Sequence, residues 1–100
     1  MSLNLNINCT ASVLEKLRDK HNVSLLEVNQ CFINRDGGLL EDTREDNKTT
    51  PLTEWFIAET HKGRKLKVCF IQIGTEITVK SAFEPNAEEI EMYNAEGYSK

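Results

Sequence analysis

Val13, Leu14 and Leu17 recur at helical spacing among Glu15, Lys16, Arg18, Asp19 and Lys20, which predicts a first helix from about Ser12 to His21. Thr10 or Ser12 can cap it. Asn22-Val23 breaks the pattern, and Ser24-Leu25-Leu26-Glu27 then has capping-box spacing, in which the serine hydroxyl and the Glu27 carboxylate satisfy the first backbone amides reciprocally. A second helix therefore starts at Ser24. Its apolar residues Leu25, Val28, Cys31 and Phe32 follow an i, i+3, i+6, i+7 pattern that requires one buried face, and Asp36-Gly37-Gly38 ends it.

Leu39 to Asp42 reads as a short edge-like strand, and Thr43 to Pro51 is polar, free of aliphatic side chains and predicted to be a loop. The period then changes. Thr53 to Thr60 and Lys65 to Ile73 are rich in β-branched and aromatic residues and predict two strands joined by the turn His61-Lys62-Gly63-Arg64. Gly74-Thr75 turns the chain again into Glu76 to Phe83, where Ile77, Val79 and Phe83 mark a buried face. Pro85 closes that strand, and Asn86-Ala87-Glu88-Glu89 offers a second cap with a carboxylate three residues on, so a short helix to about Asn94 is expected, followed by a frayed end. The expected class is α+β: two N-terminal helices packed on a three- to four-stranded antiparallel sheet, with a short C-terminal helix.

One hundred residues fit a single domain, 1–100 with its core at about 11–94, and a chain of this length buries roughly 60–70% of its unfolded surface without staples. No apolar run approaches the ~18 residues needed to cross a bilayer, and the start Met1-Ser2-Leu3-Asn4 lacks the features of a secretory signal, so a cytoplasmic protein away from membranes is expected. Cys9, Cys31 and Cys69 are an odd set with no CxxC pair, which predicts reduced thiols. His21 and His61 lie at no metal-ligand spacing from them, so neither a metal site nor a cofactor is predicted. The net charge of −4 argues against general nucleic-acid binding, but its distribution is uneven. Basic residues crowd His61 to Lys67, while Glu84 to Glu96 carries glutamates and no Lys or Arg.

Lys20-His21-Asn22-Val23-Ser24 before a Leu26-Glu27-Val28 helix, then Leu40-Glu41-Asp42-Thr43-Arg44, Arg64-Lys65-Leu66-Lys67-Val68 and Ile77-Thr78-Val79-Lys80-Ser81-Ala82, follow one another in a recognisable order. Over residues 11–94 the chain resembles the BrnT family, whose members carry a Lys-His-Gly-Val-type turn, a Gly-Arg-x-Leu-x-Val hairpin and an Ile-x-x-x-Ser-Ala strand before a terminal Tyr-containing helix. The resemblance implies a compact RelE-like fold and a bacterial type II toxin. It further implies metal-independent RNA cleavage that inhibits translation, and a hetero-oligomer with a cognate ribbon-helix-helix antitoxin. Typical members continue after Ser-Ala with arginines and have a basic last helix. Here Phe83-Glu84-Pro85-Asn86 follows, and the helix is acidic. The alternative is a non-catalytic protein-binding module on the same fold.

Cleavage by an attacking 2′-hydroxyl needs a base, an acid and cations for the growing charge. His21, Arg64 and Lys80 are the catalytic candidates; Lys62, Lys65, Lys67, Arg44 and Trp55 are the RNA-binding ones. Each has an ordinary reading beside it. His21 can cap the first helix, the basic turn can be a solvated hairpin tip, Lys80 can block an edge, and Arg44 and Glu59 can be exposed ion-pair partners. Trp55 and Phe56 point to opposite faces, so at most one is expected in the core against the helices. Tyr93 is expected to anchor its helix.

Overall fold

A computed structural model describes residues 6–41 and 52–97. The order is β1 (Asn6–Asn8), α1 (Ala11–His21), α2 (Leu25–Asn34), β2 (Leu40–Glu41), β3 (Glu54–Glu59), β4 (Lys65–Ile73), β5 (Glu76–Phe83) and α3 (Ala87–Glu96). The α+β class holds, and β4 and β5 run as the pattern predicts. Asp42, the polar run 43–51 and the candidate Arg44 lie outside the described residues. Among the described residues no helix is long and apolar enough to cross a membrane.

Local chemistry sets the helix ends. Thr10 caps α1 by accepting from the Val13 amide, and Asn22 closes it in a left-handed conformation at φ 55° that asparagine tolerates. In α2 the Ser24 amide donates to Glu27 Oε1 at 3.0 Å while the Glu27 amide donates to Ser24 Oγ at 3.2 Å. The same reciprocal pair joins Asn86 and Glu89 at the start of α3. The second helix ends at Asn34, three residues before Gly37, because Arg35 is already extended. The third runs two residues past the expected Asn94.

The sheet has five strands in the order β1-β5-β4-β3-β2. The meander is antiparallel as expected, and β1 adds a parallel edge, with Ile7 opposite Ile77. On the other side of β3, among the described residues, only Leu40 and Glu41 of β2 pair with it, opposite Trp55 and Glu54. Beyond them Asn34 Nδ2 donates to the outward-facing Glu59 carbonyl at 2.9 Å, and Cys31 Sγ lies 3.6 Å from the Ala58 carbonyl, which belongs to the β3–β4 ladder, as a weak donor.

Helices cover both faces. Phe56 and Phe70 meet Phe32 of α2 edge-on, at centroid distances of 4.9 and 5.3 Å, and Leu17, Val28, Leu66, Val68, Val79 and Ala82 complete this buried layer. On the other face Trp55 packs 5.8 Å from the ring of Tyr93 in α3. The expectation that only one of Trp55 and Phe56 is a core residue is therefore corrected: both are buried, one under each helical layer. Tyr93 is tied down by its hydroxyl, which donates to the Gly38 carbonyl at 2.7 Å. Glycine is required at Gly37 and Gly97, where a Cβ would collide with the Tyr93 hydroxyl and, at 2.6 Å, with its ring.

One departure in β5 alters a candidate residue. Cys69 pairs with Ser81 but Phe70 pairs with Val79, so the register slips and Lys80 has no opposite residue. The slip puts Ala82 in the buried layer with Val79 and Ile77 and leaves Phe83, opposite Lys67, on the other face, which corrects the expectation that Ile77, Val79 and Phe83 mark one buried face.

Candidate functional site

The turn between β3 and β4 carries most of the candidates. Its frame is Thr60, buried, whose hydroxyl accepts from the Lys62 and Arg64 amides at 3.3 and 3.1 Å and whose amide donates to the Arg64 carbonyl at 2.8 Å. Gly63 sits at φ 86°, a conformation that L side chains rarely adopt. The frame sends Arg64 to one side of the turn and His61 to the other.

On the first side the Arg64 guanidinium is a node. Its Nη2 donates to the His21 carbonyl at 3.1 Å and its Nη1 to the Asn22 carbonyl at 2.8 Å, so it satisfies the end of α1. The same Nη1 reaches Glu27 Oε2 at 3.1 Å, and Nε donates to Glu84 Oε2 at 2.8 Å. Burial alone would raise the Glu27 carboxyl, but the Ser24 amide and the Arg64 guanidinium outweigh it and hold the carboxyl below its ordinary value. Burial alone would likewise lower Arg64, and Glu84 and Glu27 reverse that. The His21 ring lies 5.5 Å from that of Phe83, tilted by 41°. Arg64 and His21 are thus brought together, and Glu84, which stands where the resemblance predicts arginine, is a partner of Arg64.

The remaining candidates scatter. Lys62 and Lys65 are exposed on the turn and at the start of β4. Lys67 is 8% exposed; its Nζ pairs with Glu89 Oε2 at 2.9 Å and lies 4.4 Å from the centre of the Trp55 ring. Trp55 is 6% exposed, so its ring offers no open face to a base. Lys80 projects from the register slip and is exposed.

On the second side of the turn lies a depression of about 450 Å³. Ile57, Ala58, Ile90 and Tyr93 give it an apolar floor; Asn34, Asp36, Glu59, His61, Lys65 and Asn94 ring it. Asn34 orients the histidine. Its Nδ2 must donate to the Glu59 carbonyl, which fixes the amide, and the same nitrogen lies 3.0 Å from His61 Nδ1. In the neutral ring Nδ1 then accepts, and the proton sits on Nε2. Gln30 Oε1 accepts from the His61 amide at 3.0 Å. His61 is the functional candidate that sequence reasoning passed over as part of a basic turn. The available signal was the carboxamide pair Gln30 and Asn34, one helical turn apart on α2.

Among the described residues no cluster of His, Cys, Asp or Glu is arranged to hold a metal ion. Compared with known proteins, the chain matches no family model and no curated relative.

Proposed function

We propose that this chain is a BrnT-like ribonuclease toxin of a type II pair, cutting RNA without a metal and neutralised by a ribbon-helix-helix antitoxin. One observation carries the reading. Two of the segments that carry the resemblance, Lys20 to Ser24 and the run from Arg64 to Val68, meet at the Arg64 guanidinium through the His21 and Asn22 carbonyls, and Glu84, where the chain departs from the family, joins them there. Arg64 has all three nitrogens engaged, so it acts as a positioning residue for the end of α1 and hence for His21. Histidine is the side chain suited to moving a proton at neutral pH, and here it takes the 2′-hydroxyl proton or supplies one to the leaving oxygen. The His61 Nε2–H is a donor for a phosphate oxygen, and the exposed Lys62 on the same turn is the cation for the growing charge. RNA crossing the turn meets all three.

A second reading has its own observation. Arg64 is balanced by Glu27 and Glu84 and Lys67 by Glu89, while α3 turns Glu88, Glu91 and Glu96 outward beside Met92. A non-catalytic module for a partner with a basic surface would use that helix.

Induced expression of the wild type and of His21→Ala, with total RNA followed in chelator-containing buffer, separates the two. Growth arrest with RNA cleavage by the wild type, and neither from a folded His21→Ala, supports the toxin. Intact RNA and unaffected growth with the wild type overturn it in favour of the module.

A further inference from the structure

The depression on the His61 side has a polar rim that the proton-transfer chemistry does not use. Glu59 and Lys65 stand directly opposite each other on β3 and β4, both exposed, on the sheet face that α3 covers, and both line the depression. Cross-strand neighbours hold their Cβ atoms about 5 Å apart. The rim therefore presents two carboxylate acceptors next to an ammonium donor. Neither residue makes an ion pair with another described residue.

Only one nucleobase has the complementary edge. The Watson–Crick edge of guanine presents an amine donor, an N1–H donor and the O6 acceptor in sequence. Adenine and cytosine place acceptors where guanine has N1–H, and uracil flanks its single N–H with two carbonyls. We propose that the depression is a guanine-specific subsite, resting on the reading that RNA is the ligand. The Glu59 carboxylate accepts from N1–H and the N2 amine, and Lys65 Nζ donates to O6. The apolar floor of Ile57, Ala58 and Ile90 takes the face of the base, and the volume lies within the range of small-ligand pockets. Asn94 adds a carboxamide that has no hydrogen-bond partner among the described residues. Asp36 and Glu59 repel phosphate, so the base enters and the backbone stays outside, beside Lys62 on the turn.

The test is an NMR titration of the wild-type chain and Glu59→Gln with guanosine, inosine and adenosine 5′-monophosphates. The wild type is expected to bind the guanosine nucleotide about tenfold more tightly than the adenosine one, with inosine, which lacks the N2 amine, in between. Glu59→Gln is expected to erase the difference, with shifts at Asn94 and Ile90 marking the site. Equal affinities for all three nucleotides, or no binding, overturn the proposal, and because the ligand is varied on the wild type this holds even if the variant fails to fold. Mapping the cut sites of the wild type on RNA separates the two readings. Cleavage with no preference beside guanine removes this subsite and leaves the nuclease, while guanine-selective binding without cleavage keeps the subsite and removes the nuclease.

Discussion

Replacing Arg64 by alanine removes a guanidinium that joins the end of α1, the start of α2 and the run after β5. The Glu84 contact counts for little, because that carboxylate is 65% exposed and surface pairs are worth about 0–1 kcal/mol. The Glu27 contact is stronger, since the two side chains are 27% and 24% exposed, yet water still reaches both and about 1 kcal/mol is a fair value after screening. The His21 and Asn22 carbonyls lose donors that water replaces in part, about 0.5–1 kcal/mol each. The sum is about 2–3 kcal/mol, which for a domain of this size lowers Tm by about 10–20 °C. Urea unfolding followed by circular dichroism measures it. The pH dependence is a second signature. The Glu27 carboxyl sits below its ordinary value in the native state, so its contribution is fully present above the ordinary carboxylate range and is lost as the pH falls through the depressed value. Arg64→Ala should therefore lose less stability than the wild type on acidification, and a double-mutant cycle with Glu27→Gln should return a coupling near 1 kcal/mol. A loss below about 0.5 kcal/mol, or a coupling within the usual ~0.3 kcal/mol error of such cycles, would refute the node as argued.

Burial, helped by the nearby Glu27 charge, pushes the Cys31 thiol up to about 12, so under native conditions a thiol-alkylating reagent should label Cys9 and Cys69 and leave Cys31 untouched until the chain unfolds; early Cys31 labelling by mass spectrometry would contradict the packing. Glu54 is raised by burial and by Glu41 directly opposite, so folding works against its charged form. Glu41→Gln should raise stability at pH 7 by a few tenths of a kcal/mol in urea unfolding, with the gain fading as acid protonates Glu54, and a loss would disprove the pairing.

Features written in short stretches of chain were legible in advance. Ser24 with Glu27 and Asn86 with Glu89 announce their helices because a capping box closes within four residues, and the two turns marked by Gly63 and Gly74 delimit β4 and β5. What escaped depends on partners far away in sequence. Asn6-Ile7-Asn8 has one apolar residue and becomes a strand only because β5 presents an edge to it. Phe83 leaves the face of Ile77 and Val79 through a one-residue slip at Lys80 that alternation cannot reveal, and Trp55 is buried because α3 returns across the second face. The basic turn was visible as a cluster of candidates, but not its division: Arg64 is drawn to carboxylates and carbonyls from 20 to 43 positions away in the chain, while His61 is turned by Asn34 toward a depression assembled from four separate segments.

Among the described residues β2 reaches only Glu54 and Trp55 of β3, and a row of unpaired peptide groups beyond them would be an invitation for another chain to add a strand. Asn34 answers that exposure with a carboxamide that donates to the Glu59 carbonyl. The border past β2 is therefore guarded by a side chain, and the helix that supplies it is the same one whose carboxamide orients His61, so resistance to unwanted polymerisation and the shape of the depression meet in one residue, Asn34.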